Sequence, residues 1–481
     1  MKVNTISLNS VRLNTIALNH IGEIRSGGGA SKPSPIPQWI REHISFYYDM
    51  SKPMDVYPDD FSKWTKSADC TFNVTSTNIT ITNFKNLKAT SVYLGAKSNF
   101  KGMKIRVSGL VDGQELYWGY WNNSILRIPS NGDYTLSPIE QATDNLGIRS
   151  GNIVGDCNIT IEMLPSGKSV PTNEILKVSG YLQDLSGRKR NMKLTNFLFD
   201  MMSGVDGYKN EAFVKVSGAI DIRFDHINGR QIKGKPAQDW DKFGYYRAKN
   251  MVERIIYCNW HVEGILDDNK VYVAQYTAYD NRVELHNGDN YIELDTNQGK
   301  AGYNYISVIS DQPYSTDITI TQIPEYPGAL VTDGVDDYGL VENLSSGVKI
   351  LFMTVNPMML EAAIYDQRFT SGGHYFAVIT KSNEVAYNAY NTKGKTYING
   401  VLNESQTSNE LQNEKQIITI VNSEVNETNS LSPNFFRIRE GGLRMKCAFY
   451  NSIAFDSIPT EADGFTEQEL IDYVLTNIIG Q

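Results

Sequence analysis

The sequence has few cysteines, no long apolar run and no excess of basic residues, and each absence excludes a class of protein. The four cysteines are far apart and form no Cys-x-x-Cys pair, so neither a zinc site nor a disulfide framework is indicated; they are Cys70, Cys157, Cys258 and Cys447. No run approaches the roughly 18 to 20 apolar residues of a membrane-spanning helix. The 45 basic and 54 acidic residues give a formal net charge of -9, which disfavours an extended phosphate-binding surface. We therefore expect no membrane span and no nucleic-acid partner.

Motifs for hydrolytic chemistry are also missing. None of the six histidines lies four residues from another, and there is no Gly-x-Ser-x-Gly segment. A jelly-roll glycoside hydrolase needs two carboxylates at a fixed separation. The nearest approach is Glu293-x-Asp295-x-x-Gln298, in which Gln298 replaces the second acid. We expect no enzyme and no catalytic residue, and keep a glycoside hydrolase as the less favoured alternative.

The residues that are abundant indicate a mainly β protein. Tyrosine occurs 28 times and phenylalanine 18 times, and 41% of the 481 residues are hydrophobic. Aromatic and β-branched residues that alternate with polar ones are typical of strands. At roughly 100 to 200 residues a domain, the length predicts three or four domains. The N-terminus lacks the pattern of a signal peptide, from which we expect no export by the host's secretory pathway.

The first 22 residues repeat a five-residue pattern four times, as VNTIS, LNSVR, LNTIA and LNHIG. A period of five fits neither a helix face nor a strand face. We expect an extended anchor peptide buried in an oligomer or in a partner's groove, and the alternative is a loose terminus with accidental regularity. With the glycine hinge after Ser26, it makes up residues 1–30. The anchor residues are Val3, Asn4, Leu8, Asn9, Leu13, Asn14, Leu18 and Asn19.

Two related antiparallel β-sandwich modules are predicted, at residues 31–175 and 176–327. The blocks 78–84, 116–121, 131–134 and 158–161 match the blocks 191–197, 271–276, 287–291 and 317–320 in the same order. The first pair is about 113 residues apart and the later pairs about 155 to 159, so we expect an insertion near 201–250 in the second module. Asn-Gly-Asp turns between alternating runs favour hairpins.

The aromatic run LYWGYW at residues 116–121 suggests carbohydrate binding, because flat rings stack on sugar faces. Tyr117 matches Tyr272 of the second module, so we expect the Tyr117 face to be the inner wall. Trp118 and Tyr120 then lie outside, and they are the candidate carbohydrate-binding residues. Packing or a subunit contact is the favoured explanation of these two aromatics, and carbohydrate binding is the alternative.

Residues 328–481 have a different character. Asp333, Asp336 and Asp337 could ligate calcium, since hard cations prefer clustered carboxylate oxygens; a polar turn that opens the jelly roll is the favoured explanation. Asn399-Gly400 predicts a tight hairpin. Thr466 and Glu469 predict a capping box that begins a C-terminal helix, which should dock on a sheet.

These landmarks resemble the laminin-G-like, concanavalin-type jelly roll. The resemblance rests on the segments DGVDDY at 333–338, TYING at 396–400, AFYN at 448–451 and the helix after Phe465. It implies a jelly roll over 328–481. The strand that usually carries a tryptophan in that family is replaced here by the segment that begins at Met353.

The whole arrangement also resembles fibre proteins of tailed bacteriophages, particularly the crAss-like phages. There, Leu-Asn-rich N-termini and glycine hinges precede β-sandwich or laminin-G-like modules, and segments like YYDMS at Tyr47 and YLQDLSG at Tyr181 introduce the modules. The resemblance implies a homotrimeric head or tail fibre that is assembled in the host cytoplasm. It would be anchored to capsid or tail proteins through its N-terminus.

The sequence thus predicts a structural virion protein at the particle surface, with a bacterial surface glycan as candidate partner and no cofactor other than calcium. The alternative is a bacterial cell-surface glycan-binding protein.

Overall fold

The computed structural model describes residues 34–479 apart from a set of internal gaps. The longer gaps are 85–89, 94–98, 216–223, 237–245, 248–254, 276–281, 296–304, 368–376, 388–393, 409–413 and 423–431. The shorter ones are 56, 68–69, 76, 121–122, 141–144, 168, 171, 210–211, 342–343, 345, 360–361, 382–383, 404–406 and 438–441.

Antiparallel strands dominate the described chain, which is mainly β, as predicted. The helices are α1 Ile36–His43, α2 Thr172–Ser179 and α3 Glu467–Val474, which continues into a π-helical turn over Leu475–Ile479. The strands up to residue 171 are β1 Ile44–Asp49, β2 Met54–Asp55, β3 Thr65–Lys66, β4 Thr71–Val74, β5 Asn78–Phe84, β6 Thr90–Tyr93, β7 Met103–Ser108, β8 Leu116–Tyr120, β9 Ser124–Ile128, β10 Gly132–Leu136, β11 Leu146–Ser150, β12 Gly155–Met163 and β13 Ser169–Val170.

The remaining strands follow α2. From 181 to 322 they are β14 Tyr181–Leu182, β15 Met192–Thr195, β16 Gly204–Val205, β17 Val214–Lys215, β18 Phe224–Asn228, β19 Gln231–Gly234, β20 Tyr246–Arg247, β21 Ile255–Glu263, β22 Val271–Gln275, β23 Val283–Leu285, β24 Gly288–Asp295, β25 Tyr305–Ser310 and β26 Ile318–Gln322. The last twelve are β27 Leu330–Asp333, β28 Tyr338–Val341, β29 Ile350–Pro357, β30 Ala363–Asp366, β31 Ala377–Lys381, β32 Glu384–Tyr387, β33 Lys395–Ile398, β34 Val401–Leu402, β35 Thr407–Ser408, β36 Gln416–Val421, β37 Asn434–Phe435 and β38 Lys446–Phe455.

Two large sheets form a jelly-roll-like sandwich that we call the frame. One has the order β16-β27-β38-β29-β36-β33-β34, with β1 also paired to β38; the other has the order β14-β15-β28-β37-β30-β31-β32-β35. The strands of the frame come from three separate stretches, 34–52, 172–205 and 329–481. Aromatic rings fill the space between the sheets, where Phe435 contacts Phe46, Tyr48 and Tyr365. The frame therefore depends on pairing between distant parts of the chain.

Helices α1 and α3 cover the outer face of the first sheet. Trp39 of α1 packs on Phe455 and Phe465, and Leu470 and Ile471 of α3 belong to the same buried cluster. The predicted capping box is confirmed, because Thr466 accepts a hydrogen bond from the Glu469 amide while the Glu469 carboxylate accepts one from the Thr466 amide. The predicted Asn399-Gly400 hairpin is also confirmed, since it joins β33 to β34 with positive φ at both residues.

The two sandwich modules lie between the frame stretches along the chain. The first sandwich, residues 53–171, leaves the frame after Lys52 and returns at Thr172, whose hydroxyl donates to the Lys52 carbonyl. The second sandwich, residues 206–328, leaves and returns at one point, where the Tyr326 amide donates to the Asp206 carbonyl at 2.9 Å. Each module is thus an insertion with adjacent ends.

This nesting differs from the predicted boundaries. Residues 34–52 and 172–205 were assigned to sandwich modules, but β1 pairs with β38 and β15 pairs with β28. The jelly roll accordingly extends beyond residues 328–481. The segments that begin at Tyr47 and Tyr181 lie side by side, because the Tyr47 amide donates to Asp184 Oδ1 at 2.9 Å. Periodicity shows that a segment is a strand, but it does not show which sheet receives it.

The two sandwiches share one ten-strand topology. In the first, the sheets have the orders β10-β7-β12-β5-β4 and β3-β6-β11-β8-β9, with the small β2–β13 pair beside them. In the second, the orders are β24-β21-β26-β19-β18 and β17-β20-β25-β22-β23. Every strand from β3 to β12 has its counterpart from β17 to β26 in the same place. The structure therefore agrees with the predicted relation between the modules.

One part of the predicted repeat is wrong. The block at 78–84 is β5, whose counterpart is β19, whereas the block at 191–197 contains β15 of the frame. In the register, Ile79 lies opposite Ile161 and Ile232 lies opposite Ile320. The expected insertion near 201–250 was an artefact of this mismatch.

An asparagine bridges the same two strands in each copy. Asn131 Oδ1 accepts from the Leu110 amide and its Nδ2 donates to the Leu110 carbonyl, both at 2.8 Å. Asn287 does the same to Ile265, at 2.9 and 2.7 Å. The glycine just before each partner, Gly109 or Gly264, has a positive φ of 86° or 93°. The Asn-Gly-Asp motif is therefore structural in both modules.

Candidate functional site

The candidate carbohydrate-binding aromatics of the first sandwich do not form an exposed platform. Trp118 is 0% exposed and packs in the core against Trp64 and Phe100, with ring centroids 6.0 and 4.8 Å away. Tyr120 is half-buried and packs against the same core. The predicted faces were inverted, because Tyr117 is the outward residue and its hydroxyl donates to Glu115 at 2.6 Å. Trp118 cannot stack on a sugar without unfolding the module.

The acidic cluster predicted as a calcium site is brought together by the β27–β28 turn. One carboxylate oxygen from each of Asp333, Asp336 and Asp337 lies within 4.8 Å of the others. Asp333 Oδ1 accepts from the Val335 amide at 2.7 Å and from the Asp336 amide at 3.3 Å, which closes the turn. The cluster lies at one rim of the frame.

Asp337 is the buried member of the cluster. It is 1% exposed, and it accepts hydrogen bonds from the Asp333 amide at 3.0 Å and from the Ser203 hydroxyl at 3.1 Å. Burial is the main reason that the pKa of Asp337 is raised to about 7; the charge of Asp333 also raises it, while the hydrogen bonds oppose the shift. Near neutral pH this carboxyl is therefore partly protonated.

A second segment of the frame, which no sequence motif indicates, contributes to the same rim. Ser203 bonds Asp337, and Asn196 Nδ2 donates to the Asp336 carbonyl at 3.3 Å. Between them, Phe199 and Met201 have positive φ values of 54° and 48°, which are strained for these residue types. Nothing in the spacing of the aspartates indicates this partner.

Exposed aliphatic side chains surround the cluster. Leu198 is 72% exposed, Val335 65% and Leu443 42%, and the Arg444 guanidinium donates to the Val335 carbonyl. This rim combines oxygen ligands with apolar side chains on three contacting loops. It could hold a hard cation through its carboxylates, because Ca²⁺ takes six to eight oxygen ligands from carboxylates, carbonyls and water. The turn hydrogen bonds already use oxygens of Asp333 and Asp337, so the arrangement also explains the aspartates as a turn.

The remaining predicted residues have different outcomes. The anchor residues from Val3 to Asn19 lie outside the described residues. Glu293 lies on β24 opposite Tyr257, and Gln298 is outside the described part.

All four cysteines are free thiols; Cys258 and Cys447 are buried, and burial raises the pKa of Cys447 to about 12. Among the described residues, no helix is both long and apolar enough to cross a bilayer.

Comparisons with known proteins provide no argument for a function of this chain. No protein-family model matches the chain, and no curated protein matches it. A solved structure described as "The Triple Jelly Roll Fold and Turret Assembly in an Archaeal Virus" aligns with 90% of this chain and 99% of its own, at 10% identity. The TM-score of 0.10 is too low for that similarity to carry an argument.

Proposed function

We propose that this protein is a structural protein of a bacteriophage particle. It would be a head or tail fibre, homotrimeric, attached to capsid or tail proteins by residues 1–30. Its β-modules would be displayed at the virion surface for adhesion to a bacterial glycan or for capsid decoration. The proposal assigns no catalytic residue.

The observation that carries the proposal is the duplication of one sandwich on one frame. Two modules with the same ten-strand order are inserted into a single jelly-roll-like body, each with adjacent ends. Modules displayed on one body would lie close together in the three chains of a homotrimer, which raises the effective concentration of weak binding sites and suits adhesion and display. The five-residue repeat supports the anchored part of the proposal, because an extended apolar peptide with regular asparagines needs a partner to bury it.

Deleting residues 1–25 tests the anchor. The truncated protein should fold, with an unchanged circular dichroism spectrum and melting temperature, but should be absent from purified particles. A matched control replaces the same 25 residues with a glycine-serine sequence of equal length, and it should behave like the deletion. Normal incorporation of either variant would contradict the anchor. If the protein were recovered on bacterial envelopes and not on particles, the cell-surface alternative would be favoured. If the purified protein released reducing ends from glycans, the hydrolase would be favoured.

Calcium binding at Asp333, Asp336 and Asp337 stays a prediction. A calcium-specific rise in melting temperature, absent with magnesium and lost in Asp336→Asn, would support it. Asp336 is suited to this test because its own amide, rather than its carboxylate, makes the turn hydrogen bond to Asp333. An identical shift in the variant would leave the cluster as a polar turn.

A further inference from the structure

Tyr291 is the only aromatic side chain in the described part of the chain that is mostly exposed. It is 66% exposed and lies midway along β24, at the edge of a sheet of the second sandwich. Its neighbours along the strand, Asn290 and Ile292, point inward and are buried. A mostly exposed aromatic ring offers flat apolar area to a ligand.

The residues around Tyr291 form a row of opposite pairs between β24 and β21. Asp289 lies opposite His261, Tyr291 opposite Asn259, and Glu293 opposite Tyr257. Directly opposite residues of an antiparallel pair share one face of the sheet. We call these six residues the tyrosine face. On the next strand, β26, the row continues with Thr321, which lies opposite His261 and accepts a hydrogen bond from Gln231 at 2.9 Å.

Existing contacts orient the polar groups of the tyrosine face. His261 Nδ1 lies 2.6 Å from Asp289 Oδ1, and Asn259 Nδ2 donates to Glu325 Oε1 at 2.7 Å. Lys209 Nζ lies 4.7 Å from the centroid of the Tyr257 ring. Groups that are already ordered lose less conformational entropy when they bind a ligand. The face therefore offers an aromatic surface bordered by fixed amide, imidazole, hydroxyl and carboxylate groups.

The first sandwich provides an internal comparison for this face. At the equivalent register positions it has Thr135 in place of Tyr291, Lys104 in place of Asn259 and Arg106 in place of His261. The cross-strand ion pair is retained, since Arg106 Nε donates to Asp133 at 2.7 Å. The scaffold is thus common to both copies, while the exposed ring and its amide neighbour belong to the second sandwich alone.

We propose that the tyrosine face binds an uncharged oligosaccharide. An exposed tyrosine supplies flat apolar area at low entropic cost, and the surrounding side chains can both donate to and accept from hydroxyl groups. Asp289, Glu293 and the nearby Glu263 make the face unfavourable for polyanions. This inference rests on the adhesive part of the proposed function, and it places glycan binding on the second sandwich instead of at Trp118.

Affinity electrophoresis of the full chain tests the inference. Native gels would each contain mannan, laminarin or xylan as uncharged probes, or alginate as an anionic one. We expect retardation in at least one uncharged gel. Tyr291→Thr, which installs the residue of the first sandwich, should weaken the apparent affinity by about 30-fold, which corresponds to the threshold loss of a binding hot spot. Tyr291→Phe should retain most of it. The matched control Thr135→Ala should bind like the wild type, and melting temperatures should show that all variants fold.

The outcomes separate this inference from the virion role. No retardation in any uncharged gel, or retardation that Tyr291→Thr leaves unchanged, would overturn it. Retardation in alginate alone would overturn it too, as would Tyr291-dependent binding of fluorescent polylysine without saccharide binding. Tyr291→Thr should still join particles. If the protein lacking residues 1–25 joined particles normally while glycan binding still required Tyr291, the anchor assignment would be wrong. The inference about the tyrosine face would be supported.

Discussion

The nested frame makes a sharp prediction about which pieces of the chain fold alone. Residues 328–481, the domain expected from sequence, should not fold when expressed by themselves. By contrast, removing residues 53–171 and joining Lys52 to Thr172 through a short Gly-Ser linker should leave the frame folded. The ends to be joined already lie together, because the Thr172 hydroxyl donates to the Lys52 carbonyl.

The magnitude follows from the apolar side chains that the isolated domain would lose. Residues 34–52 bury eight hydrophobic side chains, which are Ile36, Trp39, Ile40, Ile44, Phe46, Tyr47, Tyr48 and Met50. Full burial of one such side chain is worth about 1.5–3 kcal/mol, so the eight contribute about 12–24 kcal/mol, a sum that is an upper estimate because the unfolded chain already buries part of this surface. A domain has a net stability of only about 5–15 kcal/mol. Loss of this segment would therefore remove more stabilising free energy than the net stability of the frame.

Urea unfolding monitored by circular dichroism, with size-exclusion chromatography, measures both outcomes, because residues 328–481 contain no tryptophan that fluorescence could follow. The protein lacking residues 53–171 should show a cooperative transition and a compact elution volume. Residues 328–481 should show neither, while a control that lacks only residues 1–33 should unfold like the full chain. A cooperative transition in isolated 328–481 would refute the reasoning, because it would show that β1 and β15 are dispensable.

Three further predictions concern single side chains. Trp118→Ala should destabilise the first sandwich by about 3–5 kcal/mol in urea unfolding, because it removes a fully buried indole, whereas Tyr117→Phe on the outer face should cost less than about 1.5 kcal/mol; equal losses would contradict the corrected face. Asn131→Ala and Asn287→Ala should each cost about 1–3 kcal/mol, and hydrogen exchange should locate each effect in its own module; an effect spread over both would argue against local bridges. For Asp337, the folded protein holds a proton more tightly than the unfolded chain, whose pKa is 3.8. The protonated Asp337 carboxyl therefore stabilises the folded state fully below pH 3.8. This contribution to the free energy of unfolding, on the order of 4 kcal/mol, is lost as the pH rises to about 7. Stability in EDTA should fall over that range in the wild type and stay flatter in Asp337→Asn; parallel pH profiles would contradict the raised pKa.

Local signals in the sequence were reliable where the physics is local. The Thr466–Glu469 capping box and the Asn399-Gly400 hairpin each depend on residues within a few positions of one another, and both were confirmed. The later blocks of the repeat were matched correctly for the same reason, since Asn131 and Asn287 mark the same turn. The first block was matched to a strand of the wrong sheet, because short alternating runs have the same pattern in every sheet.

The inward and outward faces of β8 were inverted because alternation shows that two faces exist without showing which is buried. Comparison of Tyr117 with Tyr272 suggested a shared inner wall, yet both tyrosines lie outside, where their hydroxyls donate to Glu115 and Asp311. The aspartate cluster was found from sequence because its members are adjacent. Its partner Ser203, 134 residues away, was not.

The sequence by itself determined that the chain is mainly β, that it contains a duplicated sandwich, and where its turns and its terminal helix begin. Periodicity, turn residues and capping depend on neighbours along the chain, so these features can be read from it directly. Only the tertiary structure decided that both sandwiches are insertions into one frame, that Trp118 is core, and that Tyr291 stands exposed beside Asn259. Those facts depend on which distant strands share hydrogen bonds and which faces exclude water. No local pattern in the sequence indicates that β1 pairs with β38, because their paired residues are about 400 positions apart.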